Sequence, residues 1–233
     1  MNNVLFVVAH PDDAELAAGG TIKMLAESGS KVTVLNLTIS EKTREARQWR
    51  VQAAERAANI LGYELQWYEQ GRFDHVADIK SHELVAHLDQ LVRSLRADAV
   101  FSHWQGDSHN DHVVAAKAVL ASSRSWSSSL YVFPPNELKT TAFASFTANT
   151  YVDITPYMED KLEAIRQYNY NGKHYKSLEE YDFCQLNRFN GLMGRCEYAE
   201  SYLLVRQQGL WMESPIGQRT ESPIPSAQVN RIS

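Results

Sequence analysis

Two short stretches of this sequence concentrate side chains that bind metals or transfer protons. The first, Val7 to Glu15, contains His10, Asp12 and Asp13 directly after an apolar run. The second, His103 to His112, holds three of the chain's eight histidines, with two aspartates among them. Carboxylates crowded beside an imidazole lose solvation and repel one another unless a cation lies between them, and a divalent metal is the simplest such cation. The residue types therefore predict metal-assisted chemistry.

A purely structural role accounts for part of each pattern. Asp12 or Asp13 suits the N-cap of a helix, where acidic side chains are favoured by the helix dipole. Histidines in a polar loop can simply be exposed. A helix cap gives His10 no role, however. Two unrelated clusters of histidine and aspartate, each after a predicted strand, are also less expected than one shared site.

The elements around the clusters predict how they meet. The clusters follow predicted strands at Val4–Ala9 and Ala99–Ser102. Further strands are predicted at Lys31–Leu37, Glu64–Tyr68 and Leu130–Phe133, with helices at 13–28, 41–61, 81–95 and from about residue 110. Such alternation implies parallel pairing with right-handed crossovers. We expect an α/β, Rossmann-like three-layer sandwich with a mostly parallel sheet, and both clusters at the edge where such sheets bind ligands.

The later part of the chain predicts a C-terminal elaboration of the same domain. Residues 142–154 favour added antiparallel or mixed strands, and Pro156–Tyr168, Leu178–Leu192 and Tyr198–Arg206 are predicted as two helices and a last strand. Pro, Ser, Gln and Arg become frequent near the end. We expect one domain at residues 1–210, followed by a tail at 211–233.

Composition narrows the class of protein. The chain has 233 residues, 44% of them apolar, a net charge of −5 and a pI near 5.9, which argues against a nucleic-acid partner. Apolar stretches fall short of the roughly 20 residues of a membrane span, and we expect no signal peptide before the first strand. Cys184 and Cys196 match neither a disulfide framework nor a metal-binding pair, which favours a reduced, cytoplasmic protein.

The clusters supply the parts of a hydrolytic metal site. A catalytic zinc keeps three protein ligands and one open position for water. His10, His112 and one of the two adjacent aspartates supply such a set, and the other aspartate remains as a general base. The residues alone do not decide which aspartate has which role. His109 can assist a developing oxyanion or protonate a leaving amine, and Asp111 can fix the tautomer of a neighbouring histidine.

A family resemblance rests on these residues. Ala9-His10-Pro11-Asp12-Asp13, followed by Glu15 and Gly19-Gly20-Thr21, and His109-Asn110-Asp111-His112 about a hundred residues later, resemble the LmbE/PIG-L family of zinc-dependent N-acetylglucosaminyl deacetylases. The similarity extends more weakly to Ile60-Leu61-Gly62, Tyr151-Val152-Asp153-Ile154 and Tyr198-Ala199-Glu200. It covers most of residues 1–206.

The resemblance implies a role for each residue. Its metal ligands are His10, Asp13 and His112, its general base is Asp12, and its transition-state group is His109 supported by Asp111. The implied reaction removes an N-acetyl or other N-acyl group from an amino sugar or sugar conjugate, by attack of zinc-bound water activated by the base. Iron(II) also suits two histidines and a carboxylate. Members of the family often form homo-oligomers, so the resemblance allows a homo-oligomer, but the sequence does not decide the oligomeric state.

Some features depart from the family pattern or stay open. Asn110 lies between His109 and Asp111, where many members of the family have a proline. The family often grips its substrate with an arginine, and this sequence does not choose among Arg44, Arg47, Arg50 and Arg72. His103 and Asp107 are weaker candidates for the pocket wall, since an ordinary loop role explains them as well.

Two alternative functions remain at this point. One is an amidase of the same family that cleaves a larger sugar-conjugate amide. The other is a non-catalytic Rossmann-like protein that binds a sugar or nucleotide. Gly19-Gly20 lies inside the predicted first helix and does not match the dinucleotide-binding fingerprint, which argues against NAD.

Overall fold

The computed structural model describes residues 1–135, 145–169 and 180–208, without the side chains of 180–183. Its strands are β1 (Asn3–Val8), β2 (Lys31–Asn36), β3 (Glu64–Trp67), β4 (Ala99–His103), β5 (Ser129–Phe133), β6 (Thr150–Asp153) and β7 (Ala199–Arg206). Its α-helices are α1 (Asp13–Glu27), α2 (Arg44–Leu61), α3 (Ser81–Leu95), α4 (Asn110–Ser122), α5 (Met158–Arg166) and α6 (Glu180–Gly194). Short 3₁₀ turns complete the described elements.

The strands form one mixed sheet in the order β3-β2-β1-β4-β5-β7-β6. The first five of these strands are parallel, whereas β7 runs antiparallel to both β5 and β6. The predicted parallel sheet with a C-terminal elaboration is therefore confirmed. From β1 the sheet grows in one direction to β2 and β3, and in the other direction to β4 and β5. The boundary between β1 and β4 is therefore a topological switch point, at which a crevice opens between the strand ends.

Helices cover both faces of the sheet, because the central strand is apolar on both sides. Val4, Phe6 and Val8 of β1 pack toward α1, α2 and α5, and Leu5 and Val7 pack toward α3 and α4. The helices contribute mainly small or aliphatic residues to these two cores: Ala14, Ile22, Ala53, Ala57, Leu61 and Ala164 on one side, and Leu84, Leu88, Val92, Ala115 and Val119 on the other. The molecule is thus a three-layer sandwich.

Local signals explain where the long helix α2 begins and ends. Thr43 caps its first turn, since the threonine Oγ1 accepts a hydrogen bond from Ala46 N at 3.1 Å. Gly62 ends the helix with φ at 80°, a left-handed conformation that glycine adopts without steric cost. The predicted end at Leu61 is confirmed, but the helix begins at Arg44 and not at residue 41, because the cap lies at Thr43.

The later part of the chain differs more from expectation. The segment 156–168 starts as a 3₁₀ turn at Thr155–Tyr157 and becomes α-helical only from Met158 to Arg166. Within residues 145–154 only Thr150–Asp153 forms a strand. The predicted tail at 211–233 lies outside the described residues, so the proposed domain boundary stays a prediction.

A buried polar network interrupts α1. Ala18 leaves helical geometry with φ at −145°, and shortly after it the Glu200 carboxylate accepts hydrogen bonds from two backbone N–H groups, Gly20 at 3.0 Å and Thr21 at 2.8 Å. Lys161 Nζ lies 2.6 Å from the same carboxylate. Glu200, on β7, thus caps the second half of α1. The polar groups around Gly20 and Thr21 therefore have partners within the chain and need no ligand.

Candidate metal centre and active site

The two clusters meet because β1 and β4 are neighbouring parallel strands. Val7 pairs with Ser102 in the register of these strands, so both strands end at the same level of the sheet. The segment after β1 and the loop after β4 therefore leave the sheet side by side. Ala9 N donates a hydrogen bond to His103 Nε2 at 3.0 Å, which ties the two strand ends together directly.

Asp12 stands at the start of α1 in an unusual backbone conformation. Its φ is 100°, in the left-handed region that favours glycine and that aspartate tolerates better than most residues. The side chain forms no helix-capping hydrogen bond. Asp12 Oδ2 instead lies 3.1 Å from Arg50 Nη2, and Arg50 also donates to Pro11 O at 2.9 Å. The structure thus rejects the side-chain cap for Asp12 and places its carboxylate in an ion pair.

Asp13 lies at the centre of the histidine cluster and is 4% exposed. One carboxylate oxygen accepts a hydrogen bond from His10 N at 2.8 Å and lies 3.5 Å from His10 Nδ1 and 3.3 Å from His103 Nε2. The other oxygen lies 3.3 Å from His112 Nε2. Burial raises the pKa of Asp13, but the neighbouring His112 and His103 outweigh it and hold the pKa well below its usual range.

Three imidazoles form a stack beside this carboxylate. The ring of His112 lies between those of His103, at a centroid distance of 4.0 Å, and His109, at 4.4 Å. Burial and the neighbouring His112 lower the pKa of His103 to about 4, so this ring is neutral. Burial also lowers the pKa of His112, but Asp13 and Asp107 outweigh it and raise the pKa to about 10. The middle ring of the stack thus carries the positive charge when no metal is bound.

Two further carboxylates bind the outer sides of two histidines. Asp107 Oδ2 lies 2.8 Å from His112 Nδ1, and Asp111 Oδ2 lies 3.1 Å from His10 Nε2. Burial lowers the pKa of His10, but its bonds to Asp111 and Asp13 raise the pKa to about 9. The family pattern placed Asp111 in support of His109; here its hydrogen bonds go to His10 and to Val76 N.

His109 is the most accessible member of the cluster. Its side chain is exposed, and its ring meets the His10 ring edge-on at 5.0 Å. Burial and the neighbouring His112 and His10 lower the pKa of His109. A neutral imidazole at the mouth of the site can donate a hydrogen bond to a substrate oxygen.

The donor set fits a divalent cation. Ligand atoms of His10, His109 and His112 lie within 4.8 Å of one another, and so do those of Asp13, His103 and His112. The predicted ligands His10, Asp13 and His112 span these two overlapping groups. Nitrogens facing a buried carboxylate at 3.3 to 3.5 Å, beyond good hydrogen-bond length, suit a cation that the imidazoles and the carboxylate share.

The structure separates the four arginines. Arg50 contacts Asp12, and its second nitrogen binds Glu41 Oε1 at 2.9 Å. Arg47 binds Asp74 at 3.0 Å and the backbone of Gly71. Arg72 is exposed and pairs with Glu69, and Arg44 is exposed at the first turn of α2. Of the four, Arg50 is thus the one that contacts a predicted site residue in the described part of the chain.

Sequence patterns undervalued His103, Asp107 and Glu15. His103 and Asp107 belong to the cluster through His112, because His103 stacks on its ring and Asp107 binds its Nδ1. Glu15 is 1% exposed and accepts hydrogen bonds from Tyr63 and Tyr168. Burial raises the pKa of Glu15 to about 7. Tyrosines so distant in sequence gave no local signal for this contact.

Comparison with known families identifies the scaffold. Residues 5–123 match the family described as PIG-L: GlcNAc-PI de-N-acetylase. The chain belongs to the PIG-L family. The predicted family is confirmed, and with it the assignment to a family of N-deacetylases that depends on metal. The matched range contains both clusters and ends just after α4.

Two curated relatives illustrate the range of this similarity. The 4-oxalmesaconate hydratase of Pseudomonas putida KT2440 is 26% identical over 191 residues, which are 70% of this chain and 72% of that protein. The 1D-myo-inositol 2-acetamido-2-deoxy-alpha-D-glucopyranoside deacetylase of Segniliparus rotundus is 34% identical over 100 residues, 43% of this chain. This chain spans only 26% of that deacetylase.

Solved structures confirm the fold. The 4-carboxy-2-hydroxymuconate hydratase of Pseudomonas putida KT2440 superposes with a TM-score of 0.76 at 20% identity, over 90% of this chain and 98% of the other. The N,N'-diacetylchitobiose deacetylase of Pyrococcus horikoshii gives 0.69 at 22% identity, over 86% and 82%. Among the described residues, no helix is both long and apolar enough to cross a membrane.

Proposed function

We propose that this chain is a metal-dependent N-deacetylase that removes an N-acetyl or related N-acyl group from an amino sugar or sugar conjugate. The observation that carries the proposal is the division of work between two adjacent aspartates. Asp13 faces the imidazoles, whereas the Asp12 carboxylate pairs with Arg50. A ligand and a separate base are what hydrolysis at a metal requires. The deacetylases among the relatives support the sugar amide as substrate.

His10, Asp13 and His112 would hold the metal, which we propose to be zinc. A divalent metal at this position polarises the acyl carbonyl and makes a water more acidic. His103 lies within reach of the same carboxylate, but its Nε2 already accepts the Ala9 N–H bond. The His103 lone pair is therefore occupied, which favours the other two histidines as ligands.

Asp12 acts as the general base in this proposal. Its strained backbone brings the carboxylate to the end of β1, next to the ligand Asp13. Arg50, 11% exposed at its side chain, fixes the Asp12 carboxylate from the α2 side and is itself held by Glu41. Asp12 takes a proton from the attacking water and passes it to the leaving amine. Arg50 therefore positions the base, and it is also our candidate for substrate contact.

His109 assists at the opposite side of the carbonyl. Its exposed ring donates a hydrogen bond to the carbonyl oxygen as negative charge develops there. His109 keeps its neutral form near pH 7, since burial and nearby imidazoles lower its pKa. Its N–H therefore acts as a donor without a fixed positive charge.

The decisive experiment compares Asp12→Asn with the unchanged chain. We expect a loss of about 10²- to 10⁴-fold in kcat, the usual contribution of a general base, while zinc content stays the same. Release of free amine is measured from N-acetylglucosamine, N,N'-diacetylchitobiose and N-acetylglucosaminyl-inositol, with and without a chelator. Asp89→Asn is the matched control, because Asp89 lies on α3 and accepts hydrogen bonds from Ser122 and Ser125 at the far end of α4. Full activity of Asp12→Asn with bound metal would contradict the proposal.

A hydratase is the second candidate, because a curated relative that matches 191 residues of this chain is a hydratase. Such an enzyme adds water to a carbon–carbon double bond, and the same base and metal ligands serve that purpose. The chain is assayed with 4-carboxy-2-hydroxymuconate beside the N-acetyl sugars. Loss of the absorbance of the conjugated substrate, without amine release from any amide, would favour the hydratase.

The remaining alternatives are separated by the same panel. A bulky sugar-conjugate amide that is cleaved faster than small N-acetyl sugars would favour the amidase. A chain that binds no metal and gains no activity with added zinc would favour a binding protein. A cytoplasmic homo-oligomer stays part of the proposal, and light scattering of the purified chain tests the assembly.

A further inference from the structure

We propose that Asp107 is a positioning residue of the metal site, which holds the proton of His112 on Nδ1 and thereby leaves Nε2 as the ligand nitrogen. The inference rests on the proposed metal-dependent function. It concerns a residue that the family motif does not include. Asp111 does the same for His10 through the opposite nitrogen.

The contact between Asp107 and His112 has the geometry of a strong hydrogen bond. Asp107 Oδ2 lies 2.8 Å from His112 Nδ1, and both side chains are nearly inaccessible to solvent, at 3% and 6%. An ionised carboxylate only accepts hydrogen bonds, so Nδ1 must carry the proton. Nε2 faces Asp13 Oδ1 at the longer distance of 3.3 Å, so the proton on Nε2 is the one that a metal ion would displace.

The stack of rings fixes the plane of the His112 ring, but it does not decide which of the two flipped orientations the ring adopts. His103 lies parallel on one side, at an interplanar angle of 14°, and His109 lies on the other at 22°. Turning the ring over by 180° would exchange Nδ1 with Cδ2 and Nε2 with Cε1 while keeping both stacks. The bond to Asp107 is what distinguishes the two orientations.

The second oxygen of Asp107 is also occupied. Asp107 Oδ1 accepts a hydrogen bond from His109 N at 3.0 Å, just before α4 begins. Two donors, one from a ring and one from the backbone, therefore face the two oxygens of one carboxylate. An asparagine has a single acceptor oxygen and must turn its NH₂ group toward one of these donors. Asparagine is therefore a sharp probe at this position.

His10 shows the complementary arrangement. Asp111 Oδ2 binds His10 Nε2 at 3.1 Å, which leaves Nδ1 facing Asp13 at 3.5 Å. One histidine thus offers Nδ1 and the other Nε2, each because an aspartate holds the proton on the opposite nitrogen. Outer carboxylates of this kind orient ligand histidines and raise their basicity.

A competing explanation makes Asp107 only a turn residue that holds the start of α4. Asp107→Ser separates the two roles, because serine can keep the turn bond to His109 N but supplies one oxygen on a shorter side chain. Zinc affinity is measured by competition with a chromogenic chelator for the parent, Asp107→Asn and Asp107→Ser. Asp89→Asn is the control; Asp89 meets α4 at Ser122, about 15 Å along the helix from His112.

We expect both Asp107 variants to bind zinc about 10- to 100-fold more weakly than the parent, and the control to bind as the parent does. Thermal unfolding of the metal-free chains checks that each variant is folded. In the zinc-loaded parent, nitrogen-15 spectra should show His112 with a protonated Nδ1 and a metal-shifted Nε2. Unchanged zinc affinity in Asp107→Ser, or a protonated Nε2 on His112 in the loaded parent, would overturn the inference.

Failure of this inference differs from failure of the proposed function. If the parent binds zinc but hydrolyses no amide, the function is wrong and the role of Asp107 is still decided by zinc affinity. If the parent is an active deacetylase and the Asp107 variants keep full zinc affinity, only the role of Asp107 is wrong.

Discussion

Two buried polar networks attach to the same helix, α1, and they differ in how their charges are matched. At Gly20 and Thr21, the Glu200 carboxylate receives two backbone N–H bonds, the ammonium of Lys161 at 2.6 Å and the hydroxyl of Tyr202 at 3.0 Å. Both oxygens of Glu200 therefore have short, complementary donors. At the start of the same helix, Asp13 faces imidazole nitrogens at 3.3 to 3.5 Å.

This difference distinguishes a structural network from a binding site. The Glu200 network is complete with the groups of the chain itself, and its cation is a lysine. The Asp13 network combines several imidazoles, of which two carry raised pKa values only because carboxylates surround them. Those protons can be exchanged for a metal ion, whereas the ammonium of Lys161 cannot leave. Burial alone would not have separated the two networks.

The largest expected effect is on stability, from Lys161→Met. The substitution leaves the Glu200 charge buried without its ammonium, and breaking a buried pair in this way costs about 3–5 kcal/mol. The free energy of unfolding is measured with urea. Lys31→Met is the control, because Lys31 is 61% exposed and its bridge to Glu64 should contribute about 1 kcal/mol or less. Zinc affinity at the distant end of α1 should not change, and a parallel loss of zinc affinity would show that the two networks are coupled.

The second effect is on metal binding, from Asp13→Asn. The variant keeps the shape of the side chain but removes the charge at the centre of the site. Structural zinc sites with several ligands bind with about 10–16 kcal/mol, so loss of one ligand should weaken zinc on the order of 100- to 1000-fold. Chelator competition measures the affinity. Retention of parent-like zinc affinity would move the ligand role from Asp13 to another carboxylate.

Sequence patterns predicted the strands and helices well but the contacts between side chains poorly. The strand ends that precede His10 and the loop leading to His112 followed from apolar periodicity and from the rules of parallel sheets, since those depend on local sequence. The Asp111 bond to His10 and the approach of His103 to Asp13 join side chains that are about 90 to 100 residues apart in the sequence. Rotamers at such contacts are decided by packing, which no spacing reveals.

The same limit applies to the arginines. Four arginines near the second and third strands looked equivalent, because each sits in a polar context. The position of Arg50 on the inner face of α2, three turns before its end, brings it to Asp12. The Gly19-Gly20 pair shows the reverse case: a motif with family resemblance finds a structural explanation, as Gly20 has no space for a side chain beside Ile154.

The smallest expected effect concerns Glu15, another buried carboxylate, which lies on α1 between Asp13 and the Gly20–Thr21 segment. Among the described residues, its carboxylate accepts hydrogen bonds from the hydroxyls of Tyr63 and Tyr168 and forms no ion pair. Burial raises the pKa of Glu15 from 4.5 to about 7. The folded chain therefore binds more protons than the unfolded chain between these values, so stability falls as the pH rises through this window.

Glu15→Gln tests that conclusion, because glutamine keeps the acceptor oxygen and cannot ionise. The free energy of unfolding of the parent relative to the variant should fall between pH 4.5 and pH 7 by up to about 3 kcal/mol, with little further change above pH 8. Urea unfolding of the metal-free chains at pH 5 and pH 8 measures this difference, with the exposed Glu55→Gln as control. A parent–variant difference that stays constant with pH would contradict this prediction. It would show that Glu15 pairs with a cation in the folded chain, as Glu200 does with Lys161.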